Sequence, residues 1–256
     1  MRSVPIFSSS SILGLMGLFA HYNKYWNYYL FYLFIVIVVV YTVIYFQKKR
    51  EGLTEPEFKG RGYCDINAEY TEPVFHPNFI TQEQAIKIKK LAEPEFSEST
   101  IVSGNDTNIR KSQTAWLPKD NEVVKDIIGR VCKMTNTPFS HAEKMQVVKY
   151  DPNGYYNEHY DAACDDRKEC VEFEKNGGQR KITMLIYLND DFEGGETKFP
   201  TLNRSYTPQK YGGLLFYSLQ NDGDKCHPKA LHAGVPVKTG HKYICNVWLR
   251  ERPYND

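Results

Sequence analysis

His159 and Asp161 stand two residues apart at the end of the stretch YDPNGYYNEHYD, residues 150–161. An imidazole and a carboxylate, joined by a second imidazole, make the two-histidine, one-carboxylate triad that holds iron(II) on one face and leaves three positions open. With seven histidines in the chain, an H-x-D pair arises by chance in about one such sequence in three, so a third ligand has to be found. The downstream candidates are His227, His232 and His241. His241 sits among polar neighbours and reads as a solvated surface residue. Ten residues beyond His232 lies Lys242, on the run HKYICNVWLR, whereas ten beyond His227 lies Val237. A 2-oxo acid chelating the open positions needs a cation for its far carboxylate, and a lysine on a neighbouring strand supplies one. Read on spacing alone, Lys242 is equally an exposed strand lysine.

Several elements must bring these residues together. Thr81-Gln82-Glu83-Gln84 is a capping-box pattern that opens a helix with Ala85, Ile88 and Leu91 on one face, closed by Pro94. A second helix starts near Asp120, carries Val123, Val124, Ile127, Ile128 and Val131 at helical spacing, and stops before Pro138. After Ser140 the period changes to two in KMQVVKY, RKITMLIYLN, GGLLFYS and HKYICNVWLR, separated by Gly, Pro, Asn and Asp clusters. Helices followed by a run of strands predict a mostly β, α+β domain: an antiparallel barrel or jelly roll with helices packed on one side. His159 falls just after the first of those runs, at a turn. Such a fold can gather residues distant in sequence at one mouth.

The chain has 256 residues and a net charge of +1, which suits one globular domain plus extras and argues against a nucleic-acid binder. Tyr28 to Phe46 contains no charge, and its 19 residues make a helix of about 28 Å, enough to cross a membrane core. Trp26, Tyr28, Tyr29 and Tyr45 suit the interfaces, and Lys48, Lys49 and Arg50 a stop. The predicted layout is a tail (1–27), a single-pass transmembrane helix (28–46), a juxtamembrane stem (47–72) and a catalytic domain (73–256). Basic residues are denser after the helix (Lys48, Lys49, Arg50, Lys59, Arg61) than before it (Arg2, Lys24), and the positive-inside bias would put the domain in the cytosol. The sequons Asn105-Asp106-Thr107 and Asn203-Arg204-Ser205 matter only in a lumen. Six cysteines fit no zinc spacing; Cys164 and Cys170 are close enough to close a loop as a disulfide, with free thiols the equal alternative.

From about Val74 to Arg252 the chain resembles the catalytic domain of the iron(II)- and 2-oxoglutarate-dependent prolyl 4-hydroxylases. Four blocks carry the resemblance in order: RKSQTAWL, YDPNGYYNEHYD, NGGQRKITMLIYLND with GGETKFP, and LHAGVPVKTGHKYICNVWLRER. The resemblance implies a double-stranded β-helix (jelly-roll) core and iron(II) held by His159, Asp161 and His232. It implies a 2-oxoglutarate pocket of Tyr150, Thr197 and Lys242, with substrate contacts from Tyr156, Arg180 and Trp248. Arg110 and Ser112 match a loop that closes over the peptide. The implied reaction takes O2 and 2-oxoglutarate, with L-ascorbate as accompanying reductant, converts peptidyl proline to 4-hydroxyproline, and releases succinate and CO2. A proline-rich or collagen-like peptide is the implied partner, and anchored members of the family imply the lumen of the endoplasmic reticulum. Two positions depart from the family pattern: Val235 stands where Cys is common, and Arg250 where a His often follows the tryptophan, which bears on substrate preference. The same ligands also suit a 2-oxoglutarate oxygenase acting on another side chain such as lysine, and a membrane-anchored binding module that has lost its chemistry is the reading outside enzymes.

Overall fold

The computed structural model describes residues 26, 28–46, 61–100, 108–165, 168–221 and 223–255. The sequon at Asn105 and the basic residues Arg2, Lys24, Lys48, Lys49, Arg50 and Lys59 lie outside the described residues. The chain divides into two compact units, Met1–Glu57 and Phe58–Asp256. In the first, α1 (Tyr28–Phe46) is a single apolar helix whose side chains are all exposed. By length and composition it can cross a membrane.

The second unit starts with β1 (Val74–His76), α2 (Gln82–Ala92), β2 (Ser97–Glu98), β3 (Arg110–Lys111), β4 (Gln113–Leu117) and α3 (Glu122–Thr135). It continues with β5 (Met145–Tyr150), β6 (Tyr155–His159), α4 (Lys168–Lys175), β7 (Arg180–Tyr187), β8 (Glu193–Gly194), β9 (Thr197–Phe199) and β10 (Arg204–Tyr206). It ends with β11 (Gly213–Tyr217), β12 (His232–Gly234), β13 (Val237–Thr239) and β14 (Lys242–Arg250). The large sheet runs β1-β11-β7-β14-β5-β4-β2 and the small one β10-β9-β12-β6-β3, with β8 and β13 as a separate pair. Neighbouring strands within each sheet pair antiparallel, as a jelly roll requires.

Period two decides what each face of the large sheet does. On β14, Cys245, Val247 and Leu249 enter a core with Ile88 of α2 and Ile127, Ile128 and Val131 of α3. The alternate residues Lys242, Ile244, Asn246, Trp248 and Arg250 line a cavity on the opposite face. On β5 the same parity sends Met145 and Val147 to the helices and Val148 and Tyr150 to the space between the sheets. Each fully buried aliphatic side chain of the helix-side core stabilises the fold by about 1.5–3 kcal/mol.

Both predicted helices form. Thr81 Oγ1 accepts from Gln84 N at 3.1 Å while Gln84 Oε1 accepts from Thr81 N at 3.1 Å, which completes the capping box. The buried face of α2 is Ala85, Ile88 and Ala92, whereas Leu91, expected on that face, is 36% exposed. At 100° per residue Ala92 lies 40° from Ile88 and Leu91 60°, so the smaller residue takes the place nearer the core. α3 is capped by Asn121, whose side chain accepts from Val123 N, and ends at Asn136 in the left-handed conformation.

Residues 61–72, expected to belong to a stem, pack on this unit. Tyr63 forms a parallel bridge with Cys226, Tyr70 Oη donates to the Tyr217 carbonyl at 2.9 Å, and Arg61 pairs with Glu174 and Glu251 at 3.1 and 2.6 Å. Their polar composition hid this because the contacts are backbone bonds and ion pairs, which leave no apolar period. Cys164 does not pair with Cys170: it is bonded to Cys226, 62 residues away, while the Cys170 thiol donates to Asp165 Oδ1 at 2.9 Å.

Candidate active site and metal centre

β6 ends on His159 and β12 begins on His232, and the two are directly paired across the small sheet. Asp161 follows two residues beyond the strand, and the ligating atoms of all three lie within 4.8 Å of one another. His159 Nε2 is 3.9 Å from Asp161 Oδ1, and His232 Nε2 is 3.8 Å from Asp161 Oδ2. His159 Nδ1 donates to the Asn157 carbonyl at 2.8 Å and His232 Nδ1 to the Ala230 carbonyl at 2.9 Å. A carbonyl can only accept, so both protons are fixed on Nδ1 and both Nε2 lone pairs face inward. Thr183 Oγ1 of β7 donates to Asp161 Oδ2 at 2.6 Å and orients the carboxylate.

Burial, and then the neighbouring His232, push the His159 imidazole down to about 3. Burial alone would raise the Asp161 carboxyl, but His232, His159, Arg180 and the Thr183 bond hold it below its ordinary value. His159 and Asp161 are therefore in their metal-binding protonation states at neutral pH. A divalent cation fits this donor set of two imidazoles and a carboxylate, with Phe199 and Phe216 packed on the His232 ring at 5.5 and 4.8 Å.

The competing histidines are occupied elsewhere. His227 is fully buried; its Nδ1 accepts from Lys229 N at 3.0 Å, its Nε2 donates to the Ala68 carbonyl at 3.0 Å, and Tyr70 packs on its ring. Exposed His241 pairs with Asp151 at 2.8 Å.

In a regular strand, residues three apart face opposite sides, yet Tyr156 stacks on His159 with ring centroids 3.5 Å apart. The register explains this: His232 pairs with His159 but Gly234 pairs with Tyr156, an extra residue on β6 that turns both rings to the same side. The turn before β6 uses Asn153 in the left-handed conformation, and a Cβ on Gly154 would lie 2.7 Å from the Asp151 carbonyl oxygen.

One cavity of about 690 Å³ contains the triad and is lined by Arg110, Tyr150, Tyr156, Arg180, Thr197, Lys242 and Trp248. All the sequence-predicted site residues except Ser112 thus line one space. Ser112 accepts from Arg110 Nε at 2.8 Å, and so holds the guanidinium 4.7 Å over the Tyr156 ring. Residues 101–107, on the loop that Arg110 and Ser112 were expected to close over a peptide, lie outside the described residues.

At the closed end Lys242 is 2% exposed and donates to the Gly195 carbonyl at 2.7 Å. Its ammonium lies 5.3 Å from the centre of the Tyr150 ring and 5.8 Å from that of Tyr187. Burial pushes the ammonium down to about 7, and the Glu196 carboxylate, which acts on it through space, offsets only part of that. Beside it Thr197 Oγ1 and Tyr187 Oη share a hydrogen bond of 2.8 Å. A buried cation that keeps hydroxyls beside it and is only partly compensated by Glu196 is a seat for a carboxylate.

Sequence reasoning missed Tyr187, Thr183 and Glu143. Glu143 accepts both Arg180 Nε and a second guanidinium nitrogen of Arg180 at 2.7 and 2.8 Å, and Arg250 Nε at 2.6 Å. The Arg180 guanidinium lies 3.5 Å from the centre of the Trp248 ring. Arg250 also donates to the Phe173 and Gly178 carbonyls at 2.8 and 2.6 Å, which ties α4 to the cavity wall. Tyr187 and Thr183 had a signal, since they share the strand parity of the cavity-facing Leu185; Glu143 precedes β5 and had none.

Residues 145–250 match the model of the 2OG-Fe(II) oxygenase superfamily. A protein of Acanthamoeba polyphaga mimivirus that bears a prolyl 4-hydroxylase name is 46% identical over 193 residues, 75% of this chain and 80% of that one. A probable prolyl 4-hydroxylase of Arabidopsis thaliana is 32% identical over 71% of this chain and 69% of its own length. Among solved structures, a viral collagen prolyl hydroxylase from Paramecium Bursaria Chlorella virus-1, in complex with 2-oxoglutarate, superposes with a TM-score of 0.56 at 28% identity. That match covers 70% of this chain and 96% of the viral one.

Proposed function

Because the chain belongs to the prolyl 4-hydroxylases of the iron(II)- and 2-oxoglutarate-dependent oxygenases, we propose roles for its cavity residues in the hydroxylation of peptidyl proline. His159, Asp161 and His232 hold iron(II). Lys242 and Thr197, with Tyr150 beside them, receive the far carboxylate of 2-oxoglutarate. Bound there, iron, 2-oxoglutarate and O2 supply the oxidant that inserts one oxygen atom into a prolyl C–H bond, with succinate and CO2 as co-products. L-Ascorbate is the accompanying reductant.

The chain's own residues bind, orient and exclude water. Tyr156 and Trp248 wall the proline site, and Arg180, fixed by Glu143, presents its guanidinium beside the Trp248 ring. Trp248 Nε1 is buried with no hydrogen-bond partner among the described residues. A proline-rich peptide arrives already extended as polyproline II and loses little entropy on binding. The observation that carries the reading is one cavity holding three ligands with inward lone pairs and a fully buried lysine whose burial outweighs the nearby carboxylate.

To test it, the protein is incubated with iron(II), labelled 2-oxoglutarate, ascorbate and proline-rich or collagen-like peptides. Peptide mass should rise by one oxygen in step with succinate and stay unchanged in His159→Ala. Succinate formation with no peptide gaining mass would overturn the prolyl assignment.

The layout we favour keeps α1 as a single-pass anchor in the endoplasmic reticulum membrane, with residues 1–27 as tail, a stem shorter than the expected 47–72 because residues 61–72 pack on the catalytic unit, and that unit in the lumen. The Cys164–Cys226 disulfide and the exposed sequon at Asn203 support the oxidising side, against the positive-inside count. Protease protection in microsomes discriminates: a fragment containing residues 61–256 survives if the domain is lumenal and is degraded if it is cytosolic.

A further inference from the structure

The cavity does not end at the metal centre. Its Lys242 end is closed, while at its open side it is lined by Tyr160, from between two of the triad residues, and by Tyr63, from the segment that precedes β1. Tyr63 is 46% exposed, and its ring centroid lies 5.1 Å from that of Tyr160. Backbone bonds hold it there: Gly62 N donates to the Cys164 carbonyl at 3.0 Å, Cys226 N to the Gly62 carbonyl at 3.1 Å, and Cys64 N to the Cys226 carbonyl at 3.0 Å. Gly62 takes a φ of 66°, which suits a residue without a Cβ. Both partner residues belong to one disulfide, and Ala162, Cys164, Leu219 and Cys226 form a small core against which Tyr160 packs. Arg61, paired with Glu174 and Glu251, fixes the other flank.

A short polar segment is thus built into the wall of the site, and it carries one large aromatic residue that faces the cavity. We infer that Tyr63 and Tyr160 form a second peptide subsite, an aromatic shelf for a prolyl residue flanking the target proline. This rests on the reading of the cavity as a peptidyl-proline site. The occupant follows from continuity and access: Tyr63 and Tyr160 line the same cavity as His159, Asp161 and His232, and Tyr63 is partly exposed. A peptide whose target proline reaches the metal therefore passes the shelf within a few residues. A polyproline II chain presents flat ring faces there at every turn, and paired tyrosine rings are a surface that receives them. The catalytic unit borrows this contact from the segment that leads to α1.

The test uses the full chain in detergent and two substrates, a proline-rich peptide of about ten residues and a blocked peptide with one proline and one neighbour on each side. Expected for Tyr63→Ala is a rise of about tenfold in KM for the long peptide, with kcat, the KM for 2-oxoglutarate and the KM for the short peptide each within twofold of wild type. Tyr63→Phe, which keeps the ring, should restore the long-peptide KM. Tyr63→Leu, which keeps apolar bulk beside the Tyr160 ring, guards against a folding defect and should behave as Tyr63→Ala does. An unchanged long-peptide KM in both Tyr63→Ala and Tyr63→Leu, or an equal rise on both peptides, overturns the shelf and leaves the prolyl reading standing. Wild-type protein that hydroxylates neither peptide overturns that reading, and the shelf with it.

Discussion

The seven-stranded and five-stranded sheets solve opposite problems. The central strands of the large sheet are covered by helices on one face and by the site on the other, so β5, β7 and β14 are almost continuously buried. The small sheet has strands of two to five residues, and its β6 is made of intermediate and exposed residues. Yet the small sheet carries both histidines of the triad, Thr197 and Tyr156, whereas the large sheet contributes Lys242, Thr183, Arg180 and Trp248 from its cavity face. Stability and chemistry are therefore split by sheet and, within the large sheet, by strand parity. Substitutions on the small sheet should remove activity with little loss of stability, and those on the helix side of the large sheet should do the reverse.

The largest effect expected is on the small sheet. His159→Ala leaves two ligands and should lower turnover by about 10⁴-fold or more, with loss of iron binding by calorimetry. Because the residue is at a strand end and its imidazole packs in the cavity wall rather than in the helix-side core, the melting temperature of the metal-free protein should change by no more than a few degrees. A collapse in melting temperature would show that the small sheet is framework after all.

Lys242→Met crosses the comparison, since it is a large-sheet residue on the cavity side. It should raise the KM for 2-oxoglutarate about 100-fold, the loss of a buried charge-assisted contact worth roughly 3 kcal/mol. The metal-free protein should become more stable at neutral pH, because a buried cation whose desolvation Glu196 only partly offsets is removed. The pH sign follows from its titration. With the folded value pushed down from 10.5 to about 7, this lysine's contribution to metal-free stability is full above about 10.5 and falls as pH drops towards about 7, levelling below. Co-substrate affinity moves oppositely: it should weaken by about tenfold per unit as pH rises above about 7, where the ammonium is lost. Urea melts and 2-oxoglutarate titrations across pH 6–10 measure both slopes, which Lys242→Met should flatten.

Thr183→Val tests the bridge between the sheets. The hydroxyl of this β7 residue orients Asp161 on the far side of the cavity, and its loss should weaken metal affinity by about 10- to 100-fold with a smaller change in the KM for peptide. An unchanged metal affinity would mean that the carboxylate is held by its own loop and the disulfide next to it.

What could be read in advance follows the same division. The four alternating runs became β5, β7, β11 and β14, neighbours in one sheet, because strands buried on both faces must be apolar along their length. The small sheet left little trace: β3 and β12 have two and three residues, and the stacking of Tyr156 on His159 depends on a bulge that alternation cannot anticipate. His232 was legible only through its distance from Lys242, and Tyr150, Thr197 and Arg180 only through resemblance to a family. Glu143 and Tyr63 escaped because their roles are created by long-range contacts, an ion cluster and a parallel bridge, that local composition does not encode. The Cys164–Cys226 bond escaped for the same reason: proximity in sequence favoured Cys170, and topology chose a partner 62 residues away.

The smallest effect on turnover belongs to the helix side of the large sheet, where α2 makes the sharpest control. Ile88 is fully buried in the core beneath the sheet, while Leu91, apolar and three residues on, is 36% exposed. Ile88→Ala removes buried volume that the packed neighbours cannot refill and should cost about 2–4 kcal/mol in urea unfolding. Leu91→Ala should cost clearly less, about 1 kcal/mol, since Leu91 is partly exposed and leaves no enclosed cavity when shortened. Both variants should keep kcat and both KM values within twofold, because parity separates this face from the cavity. A Leu91→Ala protein as destabilised as Ile88→Ala would mean that α2 turns a different face to the sheet. A changed KM in Ile88→Ala would mean instead that the large sheet transmits strain from its helix side into the site.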